Sequence, residues 1–303
     1  MSEAYAESPI QVPQLQIPRR ENLSYEDFVR DHLLANRPVI VTDAIREWRA
    51  LSRWSPEFFK AEFGGVEMQL RGERMSVGEA VDRILEPEEG QSAPYLHTTS
   101  AGGKMEHWFP GLLADIRPRP VYLSPNWLEG RYFPRSIEER LRRGSQAELF
   151  LGGAGGRFSL HWDSLYFHVF AFQIHGEKAW YLYAPDQTPR LYPRESVPTI
   201  SKIHDVENPD LAQFPLFRDA VCHRCTLAPG EMLFFPGGWW HTTRMHQPSI
   251  SVSINTANAS NWSLMAGEIS SKAGPLAPAV RAYFSAIQAY KTLVERIRGS
   301  GLD

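Results

Sequence analysis

The spacing of apolar residues changes period along this chain. Residues 1–18 are polar and proline-containing and read as a flexible, extended arm. Ser24 then stands where a helix cap belongs, with Asp27 three positions on, Phe28, Leu33 and Leu34 on the apolar side, and Arg37-Pro38 as the stop. Val39, Ile40 and Val41 form a short apolar run, the mark of a buried strand. Ser55-Pro56-Glu57 supplies cap, first-turn proline and first-turn acid for a helix that ends near Gly64-Gly65. A strand is expected over 66–71. Ser76 and Glu79 form a capping box for a helix through Leu85, and Pro87 ends it.

From about residue 118 the period shortens. PVYLS reads as a strand and SIEERLRR (136–143) as a short helix. ELFLGG, RFSLHWD, YFHVFAFQIHG, KAWYLYAP, EMLFFPGG and SISVSIN follow, each bounded by Gly or Pro. Such a run of short β segments is the texture of a sandwich or barrel. After Ala257 the helical period returns: Val280, Phe284, Ile287, Tyr290, Val294 and Ile297 step by three and four. That stripe suits either packing onto the domain or a homodimer seam. The expected fold class is α+β. A main domain over 19–260 holds an N-terminal helical region and a β core over about 118–257, and a helical region fills 261–303, with no linker between independent units.

Composition narrows the function. Of 303 residues, 43% are hydrophobic and 22% charged, which suits a large core and excludes a disordered or fibrous chain. A net charge of -3 provides no global field for nucleic acid or anionic membrane. Two cysteines exclude a disulfide scaffold. The first residues carry no apolar core flanked by basic residues, and no run approaches the ~18 apolar residues of a membrane span, so a cytoplasmic protein is expected. Aromatics make up 12% of the chain beside 23 Pro and 22 Gly, which fits short strands closing over a pocket.

The chemistry centres on His161-Trp162-Asp163. On extended backbone, residues i and i+2 face one side, so an imidazole and a carboxylate aim at one point while Trp162 turns away. His223, His241 and His246 are available as a third ligand. His241 has the strongest context, because GEMLFFPGGWWH runs a buried strand into a Pro-Gly-Gly turn that can fold a ligand back over a barrel mouth. Two histidines and a carboxylate occupy one face of an octahedron and leave positions open, the arrangement of non-haem Fe(II) sites. Lys178 opens the aromatic strand KAWYLYAP; an ammonium turned inward there requires an anion.

Taken together, RPVIVTDAIREWRALSRWSPEFF, FSLHWD, QIHGEKAWYLYAP, DVENPDLAQFPLF and PGEMLFFPGGWWH followed by SISVSIN resemble the JmjC-type, cupin-like 2-oxoglutarate oxygenases, in particular the small hydroxylases of that family. The resemblance spans about residues 20–260. It implies a double-stranded β-helix (jelly-roll) core and Fe(II) held by His161, Asp163 and His241. It also implies 2-oxoglutarate with its distal carboxylate on Lys178, and O₂ as the second cosubstrate. Tyr122 and Ser253 match positions that contact the cosubstrate, and Asn255 shares the face of Ser253. The implied activity is hydroxylation of a C–H bond, on a protein side chain in preference to a tRNA base; a non-catalytic, metal-holding jelly roll is the alternative. Near-neutral charge favours a protein or small-molecule substrate over RNA. Two positions depart from the family pattern. Phe158 stands where relatives carry Thr, three residues before the first histidine, and no Asn lies between Asp163 and Lys178, where His168 and Gln173 are the polar residues. Cys222 and Cys225 form a single CxxC, for which a structural role is expected.

Overall fold

Ser24, Ser55 and Ser76 each cap a helix, as their contexts predict. Ser24 accepts from Asp27 N at the start of Tyr25–Phe28, which continues into a π turn over Val29–Leu33. Ser55 accepts from Phe58 N ahead of Pro56–Phe63. The reciprocal Ser76–Glu79 capping box opens Val77–Leu85. Leu34 does not join the apolar side of its helix, being 50% exposed. A computed structural model describes residues 13–70, 72–87, 93–129 and 146–298; the helix expected over 136–143 lies outside these.

The strands are β1 (Gln14–Gln16), β2 (Arg19–Arg20), β3 (Val39–Val41), β4 (Glu67–Leu70), β5 (Glu73–Ser76), β6 (Tyr95–His97) and β7 (Glu148–Gly152) in the first half. They continue as β8 (His168–His175), β9 (Lys178–Tyr183), β10 (Cys222–Leu227), β11 (Met232–Phe235), β12 (Trp240–Arg244) and β13 (Ser249–Thr256). Seven of them form a large sheet in the order β2-β3-β11-β8-β13-β7-β6; four form a smaller one, β1-β10-β9-β12; β4 and β5 pair as a hairpin. Apart from the short N-terminal strands β1 and β2, which pair in parallel, the pairings are antiparallel. The two sheets face each other as the jelly roll, so the α+β expectation and the double-stranded β-helix hold.

Alternation along β8 divides the core. Phe170, Phe172 and Ile174 enter the cluster shared with the N-terminal helices, whereas Val169 and Ala171 face the interior between the sheets. The β8–β9 turn depends on Gly176, whose φ is 62° and where a Cβ would lie 2.0 Å from Pro248 O. Apolar burial of about 1.5–3 kcal/mol per large side chain drives this layering.

Three expectations need correction. PVYLS is not a strand: Val121–Leu123 is a 3-10 turn between Pro120 and Pro125, since prolines at both ends remove the donors a central strand needs. RFSLHWD is extended but joins no ladder; it holds to the structure through isolated bridges, Arg157 to Arg244 and His161 to His241. The last part of the arm is bound down, because β1 pairs in parallel with β10 and Arg19 Nε lies 2.9 Å from Glu231 Oε1.

The C-terminal region forms helices Trp262–Ser271 and Ala277–Arg298. The predicted stripe splits: Phe284 and Ile287 are buried against Trp262, whereas Tyr290 and Ile297 are 54% and 76% exposed. No helix among the described residues is long and apolar enough to cross a membrane.

Candidate metal centre

Backbone pairing brings the two histidines together. His161 N donates to His241 O at 3.0 Å and His241 N donates back to His161 O at 2.6 Å. Residues so paired project to one side, and their ring centroids lie 4.2 Å apart. Asp163, two residues on along extended backbone, returns to that side. Its Oδ1 is 3.3 Å from His161 Nε2 and 3.9 Å from His241 Nε2. One ligand atom from each of the three lies within 4.8 Å of the others.

The tautomers are set by backbone carbonyls. His161 Nδ1 donates to Ser159 O at 2.7 Å and His241 Nδ1 to Trp239 O at 3.1 Å, which leaves both Nε2 atoms to face Asp163. Burial alone would raise Asp163; the bond from His161 and the nearby imidazoles outweigh it and hold the carboxyl at about 2. Burial and the neighbouring His161 push His241 down to about 4. His161 is raised despite its burial, through Asp163. An ionised carboxylate beside oriented imidazoles is the donor chemistry of a divalent first-row metal, and the residues present fit Fe(II).

A cavity of about 160 Å³ between the sheets opens onto this cluster. At its other end Lys178 is 2% exposed, and its Nζ donates to Ser251 Oγ at 2.7 Å and Tyr95 OH at 3.3 Å. The Phe150 ring lies 4.9 Å from the ammonium. Burial pushes Lys178 down to about 7, and among the described residues no carboxylate bonds to it. Three polar atoms of residues lining the cavity are buried without a partner: Trp180 Nε1, Thr243 Oγ1 and Asn255 Oδ1. Orphaned buried groups of this kind are rare in folded proteins, and a polar ligand in the cavity would satisfy them.

The sequence-predicted residues mostly converge here. His161, Asp163, His241, Lys178, Ser253 and Asn255 all line the cavity. Tyr122 does not, which corrects its assignment. Its turn carries it to the helix side of the large sheet, where the ring sits 5.0 Å from Phe28 and the hydroxyl donates to Leu23 O at 2.5 Å. Tyr95 supplies the phenol beside Lys178 instead. Tyr95, Ser251, Trp180 and Thr243 were missed, although the last three stand two residues from Ser253, Lys178 and His241 on the same strands, so alternation alone points to them. Phe158 lies in the wall, 5.0 Å from His161. His97 and Glu148 also line the cavity: His97 Nε2 is 2.7 Å from Glu148 Oε2, and Lys104 pairs with the same carboxylate.

The other candidates serve the fold. His168 lies between Gly237 N and Ser260 Oγ and is driven to about 3 by burial. Gln173 Nε2 donates to His175 O, Gly176 O and Ser249 Oγ. Cys222 and Cys225 enter separate core clusters on β10, and burial pushes the thiols up to about 11 and about 12. They form neither a shared metal site nor a reactive pair.

A family model described as a cupin-like domain matches residues 25–256. The chain belongs to the cupin-like domain family. The cupin-like match and relatives that include a lysyl hydroxylase named JMJD7 support the JmjC type. HSPB1-associated protein 1 of Homo sapiens is 43% identical over 119 residues, 38% of this chain. This match covers only 24% of that relative. The bifunctional peptidase and (3S)-lysyl hydroxylase JMJD7 of Homo sapiens is 28% identical over 258 residues, 75% of this cupin-like chain and 79% of the relative. Lysine-specific demethylase 8 of Danio rerio is 30% identical over 265 residues, 81% of this chain and 59% of the relative.

Proposed function

We propose that this cupin-like chain is an Fe(II)- and 2-oxoglutarate-dependent oxygenase that hydroxylates a C–H bond on a protein side chain. One observation carries the reading. A two-histidine, one-carboxylate cluster and a buried lysine without an anion share a single cavity. A fold needs neither, and both are costly without ligands.

The bound iron and its cosubstrate would supply the activation of O₂ and the redox equivalents. The chain's own groups do the rest. His161, Asp163 and His241 hold the metal, with Ser159 O and Trp239 O fixing the two rings. Lys178 binds the distal carboxylate of 2-oxoglutarate through a charge-assisted bond. The Tyr95 and Ser251 hydroxyls orient that end, and Ser253 and Asn255, on the same strand face as Ser251, line the rest of the cavity. Phe150, Phe158, Val169, Ala171 and Trp180 exclude water, which strengthens every charge interaction in the cavity.

Phe158 and the missing Asn favour one second reading, a metal-holding module without turnover. Succinate release from 2-oxoglutarate in the presence of Fe(II) and O₂ separates the two: an oxygenase releases it even without its primary substrate, and a silent module does not. A +16 Da product on candidate peptides supports a protein substrate; such a product on tRNA alone would replace it with the base-hydroxylase alternative.

The two tyrosines give a matched pair of predictions. Tyr95→Phe removes one hydrogen bond at the Lys178 end and is expected to weaken 2-oxoglutarate binding about two- to tenfold, the worth of about 0.5–1.5 kcal/mol. Tyr122→Phe should leave that affinity unchanged. Calorimetric titration of both variants checks this, and equal affinities would remove Tyr95 from the site. The exposed outer half of the C-terminal stripe, Tyr290 and Ile297, supports a homodimer as part of the same proposal. A monomer by sedimentation at micromolar concentration would remove it.

A further inference from the structure

We propose that the segment following β13, residues 258–268, positions the metal ligands, with Glu268 as the residue that holds the Asp163 loop; this rests on the metal-site reading above. Directly after Asp163 the backbone turns left-handed at two bulky residues in succession, Leu165 (φ 66°) and Tyr166 (φ 52°). Each such residue costs about 1–3 kcal/mol and persists only where its surroundings impose it.

The imposing groups come from the C-terminal segment. Leu165 N donates to Glu268 Oε2 at 2.5 Å. Asn261 Nδ2 donates to Tyr166 O at 2.8 Å and also bonds Thr256 O. The second ligand-bearing turn is tied to the same segment. Gly237, in the turn before His241, packs so tightly on the loop that a Cβ there would lie 1.9 Å from Tyr166 O. Gly237 N donates to His168 Nδ1 at 3.1 Å, His168 Nε2 donates to Ser260 Oγ at 2.8 Å, and Ser260 Oγ donates to Asn258 Oδ1 at 2.7 Å. One stretch of chain thus restrains the backbone on both sides of the cluster, two residues after Asp163 and four before His241. The cupin-like domain match ends at residue 256, before this stretch begins.

Glu268 does not line the cavity, so it is a positioning residue. Losing a partner that orients a ligand typically costs 10–100-fold in metal affinity. The test is Mn²⁺ binding to the full chain, read from the free-ion electron paramagnetic resonance signal. Glu268→Ala is expected to bind Mn²⁺ about ten- to a hundredfold more weakly. Glu268→Gln keeps an oxygen acceptor for Leu165 N and should stay within about threefold of the parent. If Glu268→Ala does not fold, Glu268→Asp, whose shorter arm draws the acceptor back, is expected to show a several-fold loss. Parental affinity in the Ala or Asp variant would overturn the positioning role, as would equal losses in the Gln and Ala variants. A parent chain that binds no Mn²⁺ would instead overturn the metal-site reading, and this inference with it.

Discussion

Asp163→Ala and His161→Ala are each expected to abolish succinate formation from 2-oxoglutarate, by more than about a hundredfold. Losing an outer partner of a metal ligand already costs 10–100-fold in metal affinity, and under the proposed function these two residues are ligands themselves. Asp163 is the only carboxylate in the cluster, and it is held ionised at about 2 against its own burial. Without it, two imidazoles face each other with no charge to balance a dication. His161 donates through Nδ1 to Ser159 O, so it has only Nε2 to offer, and no other imidazole can take its place in the His161–His241 backbone bridge. His223→Ala is the control, because that ring packs on Trp239 and contributes nothing to the cluster. Anaerobic Fe(II) loading, exposure to O₂ and quantification of succinate make the measurement. Turnover that survives both substitutions would end the site assignment.

Lys178→Met carries the second large effect, with opposite consequences for binding and stability. Removing the ammonium should weaken 2-oxoglutarate binding by at least about thirtyfold, since breaking one side of a buried charge-assisted contact costs 2 kcal/mol or more. The same substitution should stabilise the ligand-free chain. Burial brings Lys178 from 10.5 to about 7, so between those values the unfolded chain holds a proton that the folded chain has released. Folding stability therefore rises with pH through that window, and below about pH 7 the full cost of burying the charge applies. Met removes the cost and the pH slope together. Two hydrogen bonds are lost, to Ser251 and Tyr95, so the net gain at pH 7 is on the order of 1–3 kcal/mol. Thermal melts across pH, with and without 2-oxoglutarate, read both effects. The parent should gain melting temperature on adding the diacid and the variant should not. A variant that is less stable than the parent and still shifts with the diacid would rule out the clamp.

The His161–Asp163 half of the candidate metal cluster was legible in the sequence because its geometry is local, whereas His241 was one of three histidines and was singled out by its context and the family resemblance. HxD on extended backbone fixes the relative aim of His161 and Asp163, and a strand meeting Pro-Gly-Gly marks where His241 can turn back. Lys178 was reachable from its place at the head of an aromatic strand, Ser253 through the family resemblance, and Asn255 through the period of two that puts it on the face of Ser253. Tyr122 was assigned by the family resemblance, with PVYLS read as a strand; the flanking prolines instead make that segment a turn on the far side of the large sheet. Phe158 in place of a Thr is plain in the sequence, but its ring beside His161 is visible only once the cavity is formed.

The sequence by itself determined the helix starts at Ser24, Ser55 and Ser76, the run of β segments, and the residue types of the candidate metal site. Caps, turns and alternation act between residues a few positions apart, where covalent geometry leaves few choices. Only the tertiary structure decided that Tyr95 stands beside Lys178, that Glu148 is paired with both His97 and Lys104, and that Glu268 reaches Leu165 from more than a hundred residues away. Those contacts depend on which strands become neighbours and on how the C-terminal helices close over the end of the jelly roll. Such pairings follow from burying apolar surface across the whole chain, and no short window of sequence records them.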